Sequence, residues 1–213
     1  MDFLKVIVNA RDVNFDTGHL VESAKNQYLN EIAIEYDHRQ IIETYNGLYA
    51  FGRALHIFGC SKKLPFHDIS TRNHPAEWRL MYGEDVVGLL FFAEDVFGNL
   101  WAYSNEGILF FDIESAGIEI VSSDFAGWIK YIAEDIDYTT GRSLAQRWAK
   151  IHGSIPFGSR LCSKKPFILG GEYEVDNLYA LSWEQNLLFK ADIARQIKGL
   201  PDGTEIKFEV VDD

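Results

Sequence analysis

The chain has 213 residues, of which 47% are hydrophobic and 14% aromatic, so it holds enough apolar material for one large folded domain. A formal charge of −12, from 32 acidic against 20 basic residues, disfavours nucleic acid and anionic lipid as direct partners, because both are negatively charged. Two cysteines do not make a disulfide framework, the N-terminal apolar run is too short for a signal peptide, and no apolar run approaches the roughly 18 residues of a membrane span, so we expect a cytoplasmic protein.

The first predicted elements are a strand, a helix and a broken strand. Residues 3–8 form a short apolar run that is typical of a strand. Apolar side chains at helical spacing predict a helix within residues 23–45, and Asn46-Gly47 ends it because both residues tolerate the left-handed conformation. Residues 48–58 predict a strand that is interrupted near Gly52. A short helix is expected around Trp78, before a glycine.

The central third predicts an antiparallel meander. Four apolar segments are separated by short turns, and short turns join antiparallel neighbours; the segments are residues 86–93, 100–103, 108–112 and 118–121. Seven aromatic side chains crowd this meander, more than one sheet face holds. We expect most of them to pack in the core, and the alternative is an exposed aromatic and acidic patch for a partner.

The last third predicts helices on either side of an irregular region. Apolar residues from Phe125 to Ile136 repeat at helical spacing after a capping Ser123, and a second helix is expected to end at Gly153 with Ile151 facing inward. Residues 154–175 are rich in glycine and proline and predict a loop or bent strand, 177–183 a strand, and 189–197 a helix; a turn at 200–203 and a half-exposed strand over 204–210 follow.

Metal and cofactor signatures are incomplete. Asp12, Asn14 and Asp16 resemble the start of a calcium loop, but Thr17 occupies the glycine position and Ser23 the position of the bidentate acid, so an Asx-rich turn is favoured. The six histidines lack metal-ligand spacing and are expected at surface or packing positions. No glycine-rich phosphate loop is present. We therefore predict no metal and no cofactor.

Two kinds of catalytic group stay open as alternatives. Cys60 and Cys162 are expected to be buried free thiols, although either could meet a distant histidine in the fold. Glu94 and Asp95 follow a buried strand and are the carboxylate pair best placed for hydrolysis; Asp112 with Glu114 is another acidic pair. An acidic rim for a basic partner, or a solvated turn, fits Glu94 and Asp95 as well.

Four short motifs occur in the order seen in the SUKH superfamily: YNGL at 45–48, FAEDVFGNLW at 92–101, GILFFDIE at 107–114 and FAGW at 125–128. The similarity covers roughly residues 20–137, and the run KPFILGGEY at 165–173 with LPDG at 200–203 resembles the tail of some bacterial members. The Leu-Pro pair that members carry before Asn-Gly falls after it here, at 64–65. This superfamily includes Smi/Knr-type cell-wall synthesis regulators and many bacterial toxin-immunity proteins.

The resemblance implies an α+β fold in which a twisted, mainly antiparallel sheet with a central meander is backed by helices. We expect a single SUKH-like domain over residues 1–213, with 139–213 as a helix-and-strand extension packed on the core. The implied function is non-enzymatic protein binding, with no catalytic residue, metal or cofactor. An immunity protein that occludes a basic, polymorphic toxin such as a nuclease is the first hypothesis, and a regulatory or scaffold protein is the alternative.

The predicted contact residues are Glu94, Asp95, Asn99 and Trp101, near the turns of the meander. The acidic pair would meet basic groups of the partner, and Trp101 would be an aromatic anchor. A hydrolase that uses Glu94 or Asp95 is a weaker alternative. Direct binding of nucleic acid or membrane is not expected, and the sequence leaves the oligomeric state open.

Overall fold

The computed structural model describes residues 2–17, 35–75, 78–201, 203, 204 and 206. Eight strands in this part of the chain form two antiparallel sheets. Six of them pair in sequence order as one meander, and the last two form a separate hairpin. Their bounds are β1 Leu48–Ala50, β2 Leu55–Ile57, β3 Leu90–Glu94, β4 Leu100–Ser104, β5 Gly107–Asp112, β6 Gly117–Ser122, β7 Ser159–Ser163 and β8 Leu178–Ser182. The predicted α+β class is confirmed.

Eight α-helices surround these sheets in the described residues, and none of them is long and apolar enough to cross a membrane. The helices are α1 Phe3–Asn9, α2 Tyr36–Tyr45, α3 Ile69–Arg72, α4 Trp78–Tyr82, α5 Phe125–Glu134, α6 Ile136–Thr140, α7 Arg142–His152 and α8 Trp183–Ile197. Short 3-10 turns occur at Gly83–Val86, Phe167–Leu169 and Val175–Asn177.

The predicted meander is confirmed, with one change at its start. The first strand was expected over 86–93, but β3 begins at Leu90 because Gly83–Val86 forms a 3-10 turn. Phe91 pairs with Ala102 and Ala93 with Trp101, so Phe92 is an extra residue that forms a bulge. A bulge bends the strand and increases the local twist. Successive side chains of a strand point to opposite faces, so Phe91 and Phe92 pack on opposite sides of the sheet, and the bulge moves Ala93 to the face opposite Phe91.

The prediction of a strand at residues 3–8 is wrong, because these residues form α1. The Asp2 carboxylate accepts a hydrogen bond from the Lys5 backbone N–H and caps the helix, and Ile7 is buried. A run this short does not reveal whether its period is two or 3.6. The helix predicted within residues 23–45 ends where expected, because α2 stops before Asn46, which has the left-handed conformation with φ 52°. Residues 18–34 lie outside the described part of the chain.

The C-terminal helices follow the prediction with shifted ends. Asp124, not Ser123, caps α5, and the helix ends before Ile136 because the Asp135 carboxylate accepts from the Tyr138 N–H and starts α6. Ile151 is 68% exposed, so its predicted inward orientation is wrong. The irregular region contains β7, which pairs with β8. Most of the predicted strand at 204–210 lies outside the described residues.

Helices cover both faces of the large sheet. On one face Phe92 and Trp101 contact Trp128 of α5, with ring centroids 5.0 and 5.6 Å apart, and α1 and α2 pack beside α5. On the other face Phe91 contacts Trp78 of α4 at 5.4 Å, and α8 packs against α4. The aromatic residues therefore fill two core layers, which explains why the meander needs so many of them.

His38 belongs to this core. It is fully buried on α2, where its ring stacks on Phe125 at 4.6 Å and its Nδ1 forms a 3.0 Å hydrogen bond with the Tyr103 hydroxyl. Burial lowers the pKa of His38 to about 3, because the charged imidazolium loses its hydration there. The folded protein therefore keeps this ring neutral at pH values where the unfolded chain protonates it.

The substitution His38→Phe should flatten the acid limb of the stability curve. Below pH 6.5 the unfolded state binds a proton that the folded state does not, so His38 lowers the free energy of unfolding as pH falls towards 3. Removing it should reduce the slope by about 1.4 kcal/mol per pH unit between about pH 6 and 4. Urea unfolding across this range measures the slope, and parallel curves for the two proteins would contradict a neutral His38.

Candidate functional site

Glu94 lies at the centre of a buried ionic cluster at the end of β3. The Arg72 Nη2 atom, from α3, is 2.5 Å from its Oε2 atom. The Arg160 Nε atom, from β7, and the His56 Nδ1 atom, from β2, are each 2.8 Å from its Oε1 atom. All four side chains are at most 2% exposed. One carboxylate thus joins three cationic or polar side chains from segments far apart in sequence.

The charges around Glu94 fix its protonation state. Burial alone would raise the pKa of Glu94, but Arg160, Arg72 and His56 outweigh it and hold the pKa well below its ordinary value. A general acid needs the opposite shift, towards neutral pH. This argues against Glu94 as the acid of a hydrolase and favours a structural role.

Aromatic rings enclose the two guanidinium groups. The Arg72 guanidinium lies 4.5 Å from the ring centroid of Phe58 and 4.3 Å from that of Trp183, and Arg160 lies 5.0 Å from that of Tyr49. Such cation–π contacts replace part of the hydration that the arginines lose.

Two histidines extend the cluster. His56 Nε2 lies 2.8 Å from His67 Nδ1, and His67 Nε2 lies 2.6 Å from the Asn46 carbonyl oxygen. The chain ends on acceptors at both sides, Glu94 and Asn46, so a proton in each of its three contacts would require three protons, whereas two neutral rings carry two. Burial lowers the pKa of His67 to about 4, so the pair is able to take up its third proton as pH falls towards that value.

Asp95 organises the turn between β3 and β4. Its Oδ1 atom accepts from the backbone N–H groups of Phe97 and Asn99, at 2.8 and 2.9 Å, and its Oδ2 atom accepts from the Asn99 side-chain amide at 2.9 Å. Burial raises the pKa of Asp95 to about 7, and these hydrogen bonds limit the rise because they favour the charged form. Asp95 therefore shapes the chain, with both oxygens engaged.

The structure corrects the predicted contact surface. Glu94, Asp95 and Trp101 are 1%, 4% and 0% exposed, which leaves Glu94 and Trp101 out of reach of a docking protein. Their burial follows from β3 and β4 being interior strands with helices on both faces. Asn99 is half-buried, and with Asp95 it borders a surface groove. Two of the four predicted residues thus lie at the edge of a different site.

The groove lies at the end of the sheet where the β3–β4 and β5–β6 turns meet α5, α6 and the start of α7. Its volume is about 570 Å³. Carboxylates and aromatic rings dominate the walls, and the residues that we call the acidic groove are Phe110, Asp112, Glu119, Tyr131, Asp137 and Tyr138. A larger hollow of about 830 Å³ is lined by three cations, Arg147, Lys150 and Lys165, and three carboxylates, whereas the groove has four carboxylates against Arg147 alone.

Strand register sets the two central carboxylates of the groove. Phe110 of β5 pairs with Glu119 of β6, and Asp112 pairs with Gly117, so Asp112 and Glu119 are diagonal neighbours on one face. Diagonal neighbours on an antiparallel pair lie about 7–8 Å apart, and Phe110 is next to both, two residues before Asp112 and opposite Glu119. Tyr131 of α5 lines the same groove, and burial, with the negative charge of Glu119, raises the pKa of its phenol.

From the sequence, Asp112 was predicted only as one member of an acidic pair with Glu114, and the groove was not predicted. The structure separates that pair. Glu114 is buried and accepts from Lys190 and Ser163, both at 3.2 Å, whereas Asp112 lies at the groove and accepts backbone N–H bonds from Glu114 and Ser115. The alternation of Phe110, Phe111 and Asp112 predicts that Phe110 and Asp112 share one face of the strand. It does not predict that α5 and α6 leave this part of the face open.

Other predicted chemistry resolves into structural roles. The Asp12 carboxylate accepts from the Asn14 N–H at 3.0 Å, which is the hydrogen bond of the predicted Asx turn. It also pairs with Arg53 at 2.7 Å. Burial raises the pKa of the Cys60 thiol to about 12 and also raises that of Cys162, so neither is an activated nucleophile. Among the described residues no group of three or more histidine, cysteine or acidic side chains is placed to hold a metal ion.

Comparison with known proteins identifies a related fold. No protein-family profile and no curated protein match this chain. It is similar to a solved structure, Atu4351 from Agrobacterium tumefaciens, with a TM-score of 0.58 and 14% sequence identity over 86% of each chain. At that identity the similarity concerns the fold alone.

The substitution Glu94→Gln should destabilise the whole fold. It leaves Arg72 and Arg160 buried without a counter-ion, and losing one member of a buried ion pair costs about 3–5 kcal/mol. Urea unfolding gives the free energy. Glu134→Gln is the matched control, because its pair with Lys130 is exposed, and its curve should overlap that of the unmodified protein. If Glu94→Gln and Glu134→Gln gave the same urea unfolding curve, the ionic cluster would not contribute to the stability of the fold.

Proposed function

We propose that this chain is a non-enzymatic protein-binding module, and that it acts as an immunity protein which occludes a basic toxin domain. The observation that carries the proposal is the acidic groove, an open surface whose walls combine carboxylates with aromatic side chains. Aromatic anchors beside charged groups are the usual composition of protein-binding hot spots. The resemblance to SUKH proteins supports the same class of function, and a cytoplasmic location is part of this proposal.

Charge favours a basic partner. Among the residues that the structure describes, the buried charged side chains nearly cancel, with three cations against four carboxylates, so most of the net charge of −12 does not come from this buried set. A negative surface attracts a positive domain over long range and raises its association rate at low salt. Many nucleases are basic because they bind phosphate, which makes such a toxin a suitable target.

The groove is built on rigid elements. β5 and β6 form one wall through a five-pair antiparallel register, and α5 to α7 form the other. A rigid surface loses little conformational entropy on binding, which favours tight occlusion. The groups that could have supported hydrolysis are held in ion pairs and turns, and this supports a binding role over a catalytic one.

The partner to test is the C-terminal domain of the protein encoded by the adjacent reading frame. Co-expression with this chain should restore growth that the domain alone stops, and calorimetry should detect a complex whose affinity falls with added salt. Glu119→Lys, in the groove, should weaken binding strongly, whereas Glu184→Lys makes the same change in charge on an exposed position of α8 and should not.

Absence of both growth rescue and binding by the unmodified chain would reject the immunity role. Co-purification with cell-wall synthesis enzymes instead would favour the regulatory alternative. Equal loss of affinity with Glu119→Lys and Glu184→Lys would mean that overall charge, and not the groove, governs the interaction.

A further inference from the structure

We propose that the acidic groove is a receptor for a single arginine side chain, which enters between Asp112 and Glu119 and packs on the aromatic walls. This inference deepens the proposed function, on which it rests, by naming the group that the partner must present. The occupant is an arginine on an exposed segment of a basic protein.

The register between β5 and β6 sets the spacing of the two central carboxylates. Asp112 and Glu119 flank Phe110 on one sheet face, at the diagonal separation of about 7–8 Å. A cation that enters between two carboxylates at this separation is attracted by both of them. A planar guanidinium with five N–H donors is able to bridge two carboxylates, whereas an ammonium is a compact point charge.

Neighbouring cations of the protein are already engaged in ion pairs. Arg147 lines the groove but pairs with Glu174 at 2.9 Å, Arg142 pairs with Asp137 at 3.1 Å, and Lys130 lies 3.6 Å from Glu134. Within the part of the chain that the structure describes, neither Asp112 nor Glu119 forms an ion pair. A cation from another molecule can therefore meet both carboxylates without breaking an ion pair of this chain.

Aromatic side chains line the acidic groove. Phe110 is half-buried next to both carboxylates, Tyr131 lines the same groove, and Tyr138 is 80% exposed. A guanidinium stacks on aromatic rings and is less strongly hydrated than an ammonium, so this lining favours arginine over lysine. An exposed tyrosine is also a large, rigid contact for the segment that carries the arginine.

The experiment uses the full chain labelled with ¹⁵N and three short peptides as probes. They are Ac-Gly-Arg-Gly-NH₂, its lysine analogue, and its citrulline analogue, which has the shape of arginine without the charge. The arginine peptide should shift the amide signals of Glu119, Tyr131 and Tyr138, the lysine peptide should bind more weakly, and the citrulline peptide should leave the spectrum unchanged. Binding should weaken between about 0.01 and 0.15 M salt, as the Debye length falls from about 30 to about 8 Å.

Variants locate the effect. Glu119→Gln removes one of the two carboxylates at an exposed position and should reduce the affinity for the arginine peptide roughly tenfold, in line with a charge-assisted hydrogen bond. Glu106→Gln is the control, because it removes one charge from the exposed β4–β5 turn at the opposite end of β5, and its titration should match that of the unmodified chain.

Equal shifts with arginine and citrulline, shifts confined to other surfaces, or unchanged affinity in Glu119→Gln would each overturn the receptor role. The outcome is separable from that of the proposed function. If the toxin domain binds the unmodified chain but the arginine peptide does not enter the groove, the receptor is wrong and the immunity role stands. If the peptide binds and no toxin is neutralised, the receptor stands alone.

Discussion

The buried carboxylate of Glu94 is the constraint on which the remaining architecture depends. It lies on an interior strand and holds Arg72 and Arg160, so it ties α3 and the β7–β8 hairpin to the large sheet. An ionised group in the core is tolerated only when it is paired and hydrogen-bonded. His56 and His67 continue the network from Glu94 to the Asn46 carbonyl, and Gly59 packs tightly at this end. A Cβ on Gly59 would come within 1.9 Å of the carbonyl oxygen, so no larger residue fits there.

A second buried network positions the groove. The Phe97 carbonyl accepts from Asn186 at 2.9 Å and from Lys190 at 3.1 Å, and Lys190 also pairs with Glu114. Together with Asp95 these contacts fix the β3–β4 turn against α8. The turn forms one end of the groove, so interior ion pairs determine the shape of an exterior surface. Because the buried charges nearly cancel, that surface keeps its acidic character.

The sequence predicted the meander well because strand periodicity and turn residues are local signals. It also predicted the aromatic core correctly, since apolar side chains in a sheet covered on both faces have nowhere else to pack. It failed at residues 3–8, where a short apolar run fits strand and helix equally and Asp2 decides in favour of the helix. It also assigned Glu94 and Trp101 to the surface, because a carboxylate that follows a strand resembles an exposed turn until its arginine partners are known.

The sequence by itself determined the net negative charge, which is a sum over its residues, and the α+β class and antiparallel order of the strands, which follow from local periodicity and short turns. Tertiary structure alone decided which carboxylates are buried and which face solvent. Arg72 and Arg160 are remote from Glu94 in sequence, and the separation of Asp112 from Glu119 depends on the register between β5 and β6. Electrostatic roles are set by distance in space, and the chain encodes that distance only through the complete fold.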